Sequence, residues 1–246
     1  MRKQRIAQTP RLSGRVALIT GASRGIGLAL AKALAVEGCT LILTSRNKTS
    51  LEQAGREVTR QGVRVVLQAS DVRDPNSVTD LAATVRKTFH RLDILINNAG
   101  IAHTPRPLDK LSLKEWREVI DTNLTGTFLV SRALLPLMKR GATIVNNLSI
   151  AATRVFPNSS AYNASKHGAL GLTNTLREEL RPRGIRVIAL MPGPTDTDIW
   201  TTLWPRAPRR KMMSPDAVAN AVVAALMLPA NSTVEGLSIL PTSGTL

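Results

Sequence analysis

The sequence predicts an α/β fold, a single doubly wound parallel sheet of about seven strands with helices on both faces. Short apolar runs alternate with amphipathic stretches along most of the chain, and such alternation is typical of parallel strands joined by helical crossovers. The apolar runs contain few polar residues, as expected for strands that helices cover on both faces. No stretch rich in Gly, Ser or Pro divides the chain. We therefore expect one domain.

Seven strands are expected, and they are assigned to residues 15–20, 39–44, 63–69, 93–97, 142–148, 185–190 and 237–240. Helices are expected at 24–37, 48–60, 75–90, 112–140, 159–181 and 215–228. Gly38 and Gly62 stop the first two helices. Pro75 opens the third helix, and Ser214 caps the last one. Pro136 should bend or weaken the long helix near its end.

The predicted domain covers residues 15–246, preceded by a basic tail over 1–14 that we expect to be flexible. The stretch 194–213 is expected to be irregular, with three prolines and two tryptophans. No apolar run approaches the roughly 20 residues that cross a bilayer. No apolar core follows the basic residues 1–5, so we expect no cleaved secretory signal. The single cysteine, Cys39, rules out an intrachain disulfide and fits a reducing, cytoplasmic setting.

The chain is strongly basic, with 33 Lys and Arg against 17 Asp and Glu, a net charge of +16. Such a surface favours anionic partners such as nucleotides, acyl carriers, nucleic acid or anionic lipid. The net positive charge is explained equally well by an arginine-rich overall composition that serves no anionic partner. Two basic clusters stand out, the tail 1–14 and the group formed by Arg206, Arg209, Arg210 and Lys211. Nucleic acid is disfavoured because aromatic residues make up only 3% of the chain.

A glycine-rich loop follows the first strand, with its glycines spaced GxxxGxG. Gly21 allows the tight turn, Gly25 lets the backbone approach a phosphate, and Gly27 allows close packing of helix on strand. The following helix N-terminus would face a pyrophosphate. The candidate cofactor-binding residues of this loop are Gly21, Ser23, Arg24, Gly25, Ile26 and Gly27.

The end of the second strand indicates which dinucleotide binds. An NAD site places an acidic residue about 20 residues beyond the glycines, to hold the ribose 2′-hydroxyl. Arg46 stands there instead, and no acid lies within 44–49. A guanidinium binds a 2′-phosphate, whereas a carboxylate would repel it. Arg24 points to the same region, so the sequence favours NADP(H), unless Arg46 is simply a solvated loop residue.

The one tyrosine of the chain, Tyr162, lies four residues before Lys166. This spacing puts both side chains on one helix face. A nearby ammonium lowers the phenol pKa from its usual value near 10 towards the range of acid–base catalysis. Ser149, just beyond the fifth strand, could donate a hydrogen bond to a carbonyl oxygen.

Taken together, these motifs closely resemble those of the short-chain dehydrogenase/reductase family in its compact form, and of its 3-oxoacyl-carrier reductases in particular. The resemblance covers about residues 15–199 and includes Ser149, which precedes Tyr162 by 13 residues. The matching motifs occur in the family's order: Thr20-Gly21-xxx-Gly25-x-Gly27, Asp71-Val72, Asn97-Asn98-Ala99-Gly100, Asn123, Ser149, Tyr162-xxx-Lys166 and Pro192-Gly193. The family implies a Rossmann-like oxidoreductase domain, assembled as a homodimer or homotetramer through the two long helices.

The resemblance assigns four catalytic roles. Tyr162 would be the general acid in reduction and the base in oxidation. Lys166 would lower the Tyr162 pKa and hold the nicotinamide ribose, while Ser149 would polarise the substrate carbonyl. Asn123 would kink its helix and anchor a water that relays protons to Lys166.

The resemblance also implies contacts with the cofactor, which Tyr162 and Lys166 would share. These contacts place Asp71 and Val72 beside the adenine, Asn98, Ala99 and Gly100 along the ribose, and Pro192, Gly193, Thr195 and Thr197 around the carboxamide. No metal is expected, because the three histidines lack metal-ligand spacing.

The expected activity is hydride transfer between NADP(H) and a carbonyl or alcohol substrate, in the family's manner. A 3-oxoacyl thioester is favoured by the basic cluster 206–211, while a C-terminus without the subgroup's Gly-Gly argues against it. Another small ketone or aldehyde is the main alternative, and a non-enzymatic NADP(H)-binding protein is a second. In the family, residues 194–213 form a flap over the substrate, where Trp200 and Trp204 would supply an apolar wall or simply pack the flap.

Overall fold

The computed structural model describes residues 11–245 and forms one parallel sheet of seven strands in the order β3-β2-β1-β4-β5-β6-β7. The strands are β1 (Val16–Thr20), β2 (Thr40–Ser45), β3 (Val65–Ala69), β4 (Ile94–Asn97), β5 (Thr143–Asn147), β6 (Arg186–Pro192) and β7 (Gly236–Ile239). The strand order reverses between β1 and β4, so a crevice opens at their carboxyl ends, where ligands of such sheets bind. The predicted fold class is confirmed.

Helices cover both faces of the sheet: α1 (Gly25–Val36), α2 (Lys48–Thr59), α3 (Pro75–Phe89), α4 (Leu113–Ile120), α5 (Gly126–Leu134), α6 (Ser160–Leu180), α7 (Trp200–Leu203) and α8 (Pro215–Leu226). Ser214 caps α8 as predicted, with its hydroxyl accepting from the Ala217 amide. No helix within residues 11–245 is long and apolar enough to cross a bilayer.

Two cores lie on opposite faces of the sheet because successive strand residues point in opposite directions. Ala17 and Ile19 of β1 face one core, which α1, α2 and α8 cover. Val16 and Leu18 face the other, which α3, α5 and α6 cover. The four apolar side chains just named are all buried, which agrees with the almost uninterrupted apolar pattern of β1.

The helix predicted over 112–140 is present over residues 113–137, but it is not one uninterrupted α-helix. Residues Asp121–Thr125 form a π-helical turn between α4 and α5. The end of the segment tightens to a 3₁₀ turn, Leu135–Leu137, that contains Pro136. The turn is held by the side chain of Asn123, which bonds outside the helix, and Pro136 has no N–H to continue the α-helical pattern.

Two other boundaries also differ from the prediction. The end of the tail expected to be flexible packs on the domain, because Leu12 is buried and its amide donates to Glu37 O at 3.1 Å. Residues 1–10, the rest of the expected tail, lie outside the described part. The stretch 194–213 is not wholly irregular, since it contains α7, a 3₁₀ turn (Arg209–Lys211) and a parallel bridge between Thr195 and Met213.

Part of the excess positive charge has a structural role. Arg186 donates to the carbonyl oxygens of Leu226, Leu228 and Ser232, which closes the C-terminal end of α8. Arg183 donates in the same way to carbonyls at the end of the α5 segment. Cations at helix C-termini are favourable because they meet unpaired carbonyl groups. These arginines therefore need no external partner.

Candidate active site

A cleft of about 1070 Å³ lies at the carboxyl ends of the strands. It brings together nearly all the residues predicted for the site: Gly21, Ser23, Arg24, Gly25, Ile26, Gly27, Arg46, Val72, Asn98, Ala99, Gly100, Ser149, Tyr162, Lys166, Pro192, Gly193, Thr195 and Thr197. Asp71 and Asn123 are the two predicted residues that do not line it.

The glycine loop has the shape that its sequence predicts. Gly21 and Gly25 have φ angles of 63° and 55°, in the left-handed region that favours glycine. A Cβ on Gly27 would lie 2.3 Å from Gly21 O, so this position accepts no side chain. Arg24, at the N-cap of α1, makes no side-chain cap hydrogen bond. The N-terminus of α1 therefore faces the cleft with backbone groups suited to an anion.

Asn98 ties the glycine loop to the rest of the floor. Its Nδ2 donates to Thr20 O at 2.9 Å and to Gly21 O at 3.1 Å. Its Oδ1 accepts from Asn147 Nδ2 at 2.8 Å. The ends of β1, β4 and β5 are therefore joined by one side chain, which fixes their relative positions.

Tyr162 and Lys166 share one face of α6, as their spacing predicts. Lys166 Nζ lies 5.6 Å from the centre of the Tyr162 ring and donates to Asn147 O at 3.0 Å. Ser149 lies two residues beyond β5 and accepts from the Ala151 amide at 3.1 Å. The loop after β5 and α6 therefore place an amine, a phenol and a hydroxyl on one wall.

The two titratable groups are shifted chiefly by burial. Burial lowers the pKa of Lys166 from 10.5 to about 8, because the ammonium loses water. Burial raises the pKa of Tyr162, and a hydrogen bond with Ser149 acts in the opposite direction. The expected lowering of the Tyr162 pKa by Lys166 is not found. The ammonium is directed to Asn147 O, and the loss of water by the phenolate dominates.

Asn123 lies behind the cleft and positions its floor. Its Oδ1 accepts from the Ile101 amide at 2.9 Å, and its Nδ2 donates to Ile101 O at 2.9 Å and to Ser165 Oγ at 3.0 Å. A Cβ on Gly100 would lie 3.3 Å from Asn123 Oδ1 and 3.6 Å from Lys166 Nζ. Asn123 therefore links the loop after β4 to the helix that carries Lys166.

The predicted phosphate-binding arginines differ in their surroundings. Arg24 donates to Asp198 Oδ2 at 3.3 Å. Arg46 is exposed and has no ion-pair partner within residues 11–245. Contrary to expectation, Asp71 does not line the cleft. Its carboxylate pairs with Arg73, whose guanidinium nitrogen lies 2.6 Å from Asp71 Oδ2, and this hydrogen bond lowers the pKa of Asp71.

The far end of the cleft, beyond Ser149, is apolar. Trp200 and Trp204 both line it, as does Phe156, which sequence reasoning did not identify. Of the basic cluster 206–211, Arg209 is bonded to Asp196 and to Thr197 O within the flap. This arginine therefore holds the flap together instead of presenting its charge to a partner.

Other residues of the site were not predicted, among them Asn147, Asp198 and Thr245. Asn147 fixes both Asn98 and Lys166, and its place at the end of a strand was the only signal. Asp198 and Thr245 line the cleft from the flap and from the C-terminal segment. Within residues 11–245, no group of three or more His, Cys, Asp or Glu side chains could hold a metal ion.

Comparisons with known proteins agree with this geometry. A model of the short chain dehydrogenase family matches residues 15–207. An uncharacterised oxidoreductase of Staphylococcus aureus is 34% identical over 232 residues, which is 94% of this chain and 98% of that protein. A 3-oxoacyl-[acyl-carrier-protein] reductase of Synechocystis is 37% identical over 195 residues, 78% of each chain.

Solved structures resemble the whole chain. An alcohol dehydrogenase from Thermococcus sibiricus, complexed with 5-hydroxy-NADP, superposes with a TM-score of 0.86 at 34% identity, over 93% of this chain and 97% of that one. A short chain dehydrogenase from Burkholderia cenocepacia, in complex with NADP, has a TM-score of 0.85 at 34% identity, over 94% and 98%.

Proposed function

The chain belongs to the short-chain dehydrogenase/reductase family of oxidoreductases, and we propose that it transfers a hydride between NADP(H) and a carbonyl or alcohol substrate. The observation that carries this proposal is the meeting of Tyr162, Lys166 and Ser149 on one wall of the cleft that the glycine loop opens. These groups can supply a proton and hydrogen bonds in the same cleft where the glycine loop would hold a dinucleotide.

The residues of the cleft fit NADP(H). The glycine loop, where Gly27 leaves no room for a Cβ, would hold the pyrophosphate. Arg46, exposed and without an acidic partner in the described chain, would bind the 2′-phosphate together with Arg24. The bound nicotinamide supplies or accepts the hydride. The two neighbours described above, from Thermococcus sibiricus and Burkholderia cenocepacia, carry a 2′-phosphorylated dinucleotide.

Tyr162 would act as the general acid and base. Because burial raises its pKa, the phenol is protonated near neutral pH and can donate its proton to a carbonyl oxygen during reduction. Ser149 would donate a hydrogen bond to the same oxygen and stabilise the charge that develops there. Lys166 would hold the ribose and re-protonate the phenolate, with Asn123 positioning a water in that path. In oxidation the same phenol oxygen accepts the proton.

Two substrate classes remain for this site. A 3-oxoacyl thioester is supported by the identity with the Synechocystis reductase and by Arg206, Arg210 and Lys211, which are exposed in the flap. Another small ketone or aldehyde is supported by the likeness to the Thermococcus alcohol dehydrogenase. Charge reversal at Arg210 and Lys211 separates them. A carrier-bound substrate loses activity while the free thioester does not, whereas equal loss contradicts carrier docking.

The test of the proposed activity is NADPH oxidation with a carbonyl panel, by the wild type and by Tyr162→Phe. The panel contains an acetoacetyl thioester, a simple aldehyde, an α-diketone and a cyclic ketone. We expect turnover by the wild type alone, with NADPH bound about equally by both proteins. Turnover that survives in Tyr162→Phe contradicts the proposed mechanism.

We also propose a homo-oligomer in the cytoplasm. The exposed apolar side chains Leu113 on α4 (61% exposed) and Phe128 on α5 (42% exposed) support helix-to-helix assembly. The one cysteine, buried and unpaired, is suited to a reducing compartment. Light scattering of the purified protein gives the number of chains, and a monomer at micromolar concentration contradicts the assembly.

A further inference from the structure

Mostly apolar residues line the part of the cleft formed by the loop at 156–157 and the flap. We call this region, lined by Phe156, Pro157, Ile199, Trp200, Leu203 and Trp204 together with Thr201 and Thr202, the substrate end. Within the described chain, the charged residues that line the whole cleft are Arg24, Arg46, Asp198 and Lys166. The first two belong to the glycine loop and the end of β2. Asp198 is paired with Arg24, and Lys166 belongs to the catalytic wall.

One wall of the substrate end is fixed to the catalytic helix. Asn163, the residue after Tyr162, is 8% exposed. Its Nδ2 donates to Phe156 O at 2.8 Å, and its Oδ1 accepts from the Phe156 amide at 3.4 Å. The backbone of Phe156 is therefore held at a set position relative to the turn of α6 that carries Tyr162.

The opposite wall belongs to the flap. Trp200 Nε1 donates to Thr195 O at 2.8 Å, so its polar edge is satisfied within the flap and its ring contributes only apolar surface. Trp204 follows one turn later, with its amide donating to Trp200 O at 2.9 Å. Its side chain lines the cleft and is nevertheless 47% exposed. A large ring left in water beside an apolar cavity gains by being covered.

From this lining we infer that the substrate is an uncharged ketone or aldehyde with an apolar ring or chain that extends from its carbonyl into the substrate end, and that Trp204 is a specificity-determining residue that covers that group. The inference rests on the proposed function, because it assumes that the carbonyl is held at Tyr162 and Ser149. A carboxylate in the substrate end would find no cation among the described residues that line this region. Oxo acids whose carboxylate would enter the substrate end are therefore disfavoured.

The experiment compares 4-phenylcyclohexanone with 4-oxocyclohexanecarboxylate, which share the ring and the reacting carbonyl and differ in one substituent. Binding of each to the protein saturated with NADP⁺ is followed by tryptophan fluorescence and by calorimetry, because ketone and oxidised cofactor do not react. NADPH-dependent kcat/KM is measured separately. We expect the neutral ketone to be preferred at least 100-fold in kcat/KM and at least tenfold in Kd.

Trp204→Ala should weaken binding of the phenyl ketone by about tenfold and raise its KM, with kcat changed less than threefold. The matched control is Val155→Ala, which truncates an apolar side chain that is 79% exposed, precedes Phe156 in the chain and does not line the cleft. It should change Kd less than twofold. Equal affinity for the two ketones, or an unchanged Kd in Trp204→Ala, overturns the inference. The proposed function has a separate test, because turnover that survives in Tyr162→Phe would contradict it whatever the two ketones show.

Discussion

Asp198 pairs with Arg24 across the mouth of the cleft, with Oδ2 3.3 Å from NH1. The two residues are 174 positions apart in the chain, and the contact joins the flap to the glycine loop. The side chains are 64% and 74% exposed, so the pair contributes little to stability. Its importance lies in the role of Arg24, because a guanidinium bonded to a carboxylate is less available to a phosphate.

We therefore expect Asp198→Asn to tighten NADPH binding. Removing the carboxylate frees Arg24 and removes a negative charge near the 2′-phosphate, so Kd for NADPH should fall by about 2- to 5-fold, equivalent to about 0.4–1 kcal/mol. NADH, which lacks the phosphate, should bind unchanged. Calorimetry with both nucleotides measures the difference.

The control for this variant is Asp80→Asn, which makes the same change of net charge at an exposed residue of α3 outside the cleft. It should leave both affinities within twofold. Weaker NADPH binding in Asp198→Asn would show that the pair clasps the bound cofactor and does not compete with it.

Arg46 should decide between the two nicotinamide cofactors. Arg46→Glu replaces an exposed cation at the end of β2 by an acid, so kcat/KM for NADPH should fall by about 10- to 100-fold, the worth of one charge-assisted hydrogen bond. NADH should be unaffected or improved, because a carboxylate can bind a ribose hydroxyl.

Arg60→Glu is the control for charge, since Arg60 is exposed at the end of α2 and does not line the cleft. Both variants lower the net charge by two. Equal losses in the two proteins would mean that the general positive field of the protein attracts NADPH, and that Arg46 does not contact the phosphate.

Local patterns in the sequence were sufficient to predict the sheet, the glycine loop and the Tyr162–Lys166 pair, whereas much of the remaining cleft was expected only from the family resemblance. Apolar runs between amphipathic stretches predict parallel strands, and the glycines and the Tyr162–Lys166 spacing occur at strand ends or on one helix. Local patterns do not predict the π-helical turn at Asp121–Thr125, where only the family resemblance implied a kink, at Asn123. One extra residue in a helical turn barely disturbs the apolar periodicity, and the bonds that hold it reach Ile101 and Ser165.

Contacts between distant segments account for the remaining differences. Asn147 holds Asn98 because β4 and β5 pair in the sheet, and nothing within 142–148 indicates that partner. The pKa of Tyr162 likewise depends on how deeply the ring is buried and on Ser149. The spacing of the two catalytic residues alone suggested the opposite shift.

Lys166 should make the stability of the protein depend on alkaline pH. Its folded pKa of about 8 lies below the unfolded value of 10.5, so the unfolded chain holds the proton more tightly. Below pH 8 this costs the folded state about 3 kcal/mol. The penalty shrinks as pH rises from about 8 to 10.5, where both states become neutral. In chemical denaturation, the advantage of Lys166→Met over the wild type should therefore fall by about 2 kcal/mol between pH 7 and pH 9.5.

Lys87→Met is the matched control, because Lys87 is exposed on α3 and loses little water on folding. Its difference from the wild type should be small and the same at both pH values. A difference between Lys166→Met and the wild type that stays constant from pH 7 to pH 9.5 would mean that Lys166 is not charged at a cost in the folded protein.

Replacing glycine by alanine should have opposite effects on the stability of the protein at Gly27 and at Gly171. A Cβ at Gly27 would meet Gly21 O at 2.3 Å and Asn98 Nδ2 at 2.5 Å. Neither atom can yield easily, because Asn98 holds the ends of β1. Gly27→Ala should therefore destabilise the protein by about 1–3 kcal/mol and weaken NADPH binding at least tenfold, since the glycine loop must shift.

Nothing lies within 4 Å of a Cβ built on Gly171, which is exposed in α6. Gly171→Ala should stabilise the protein by about 0.5–1 kcal/mol, because alanine loses less backbone freedom in a helix, and NADPH binding should not change. Thermal unfolding and calorimetry of the two variants test both expectations. If Gly27→Ala binds NADPH as the wild type does, the loop does not hold the pyrophosphate; if Gly171→Ala also unfolds more easily, the loss at Gly27 cannot be assigned to the clash.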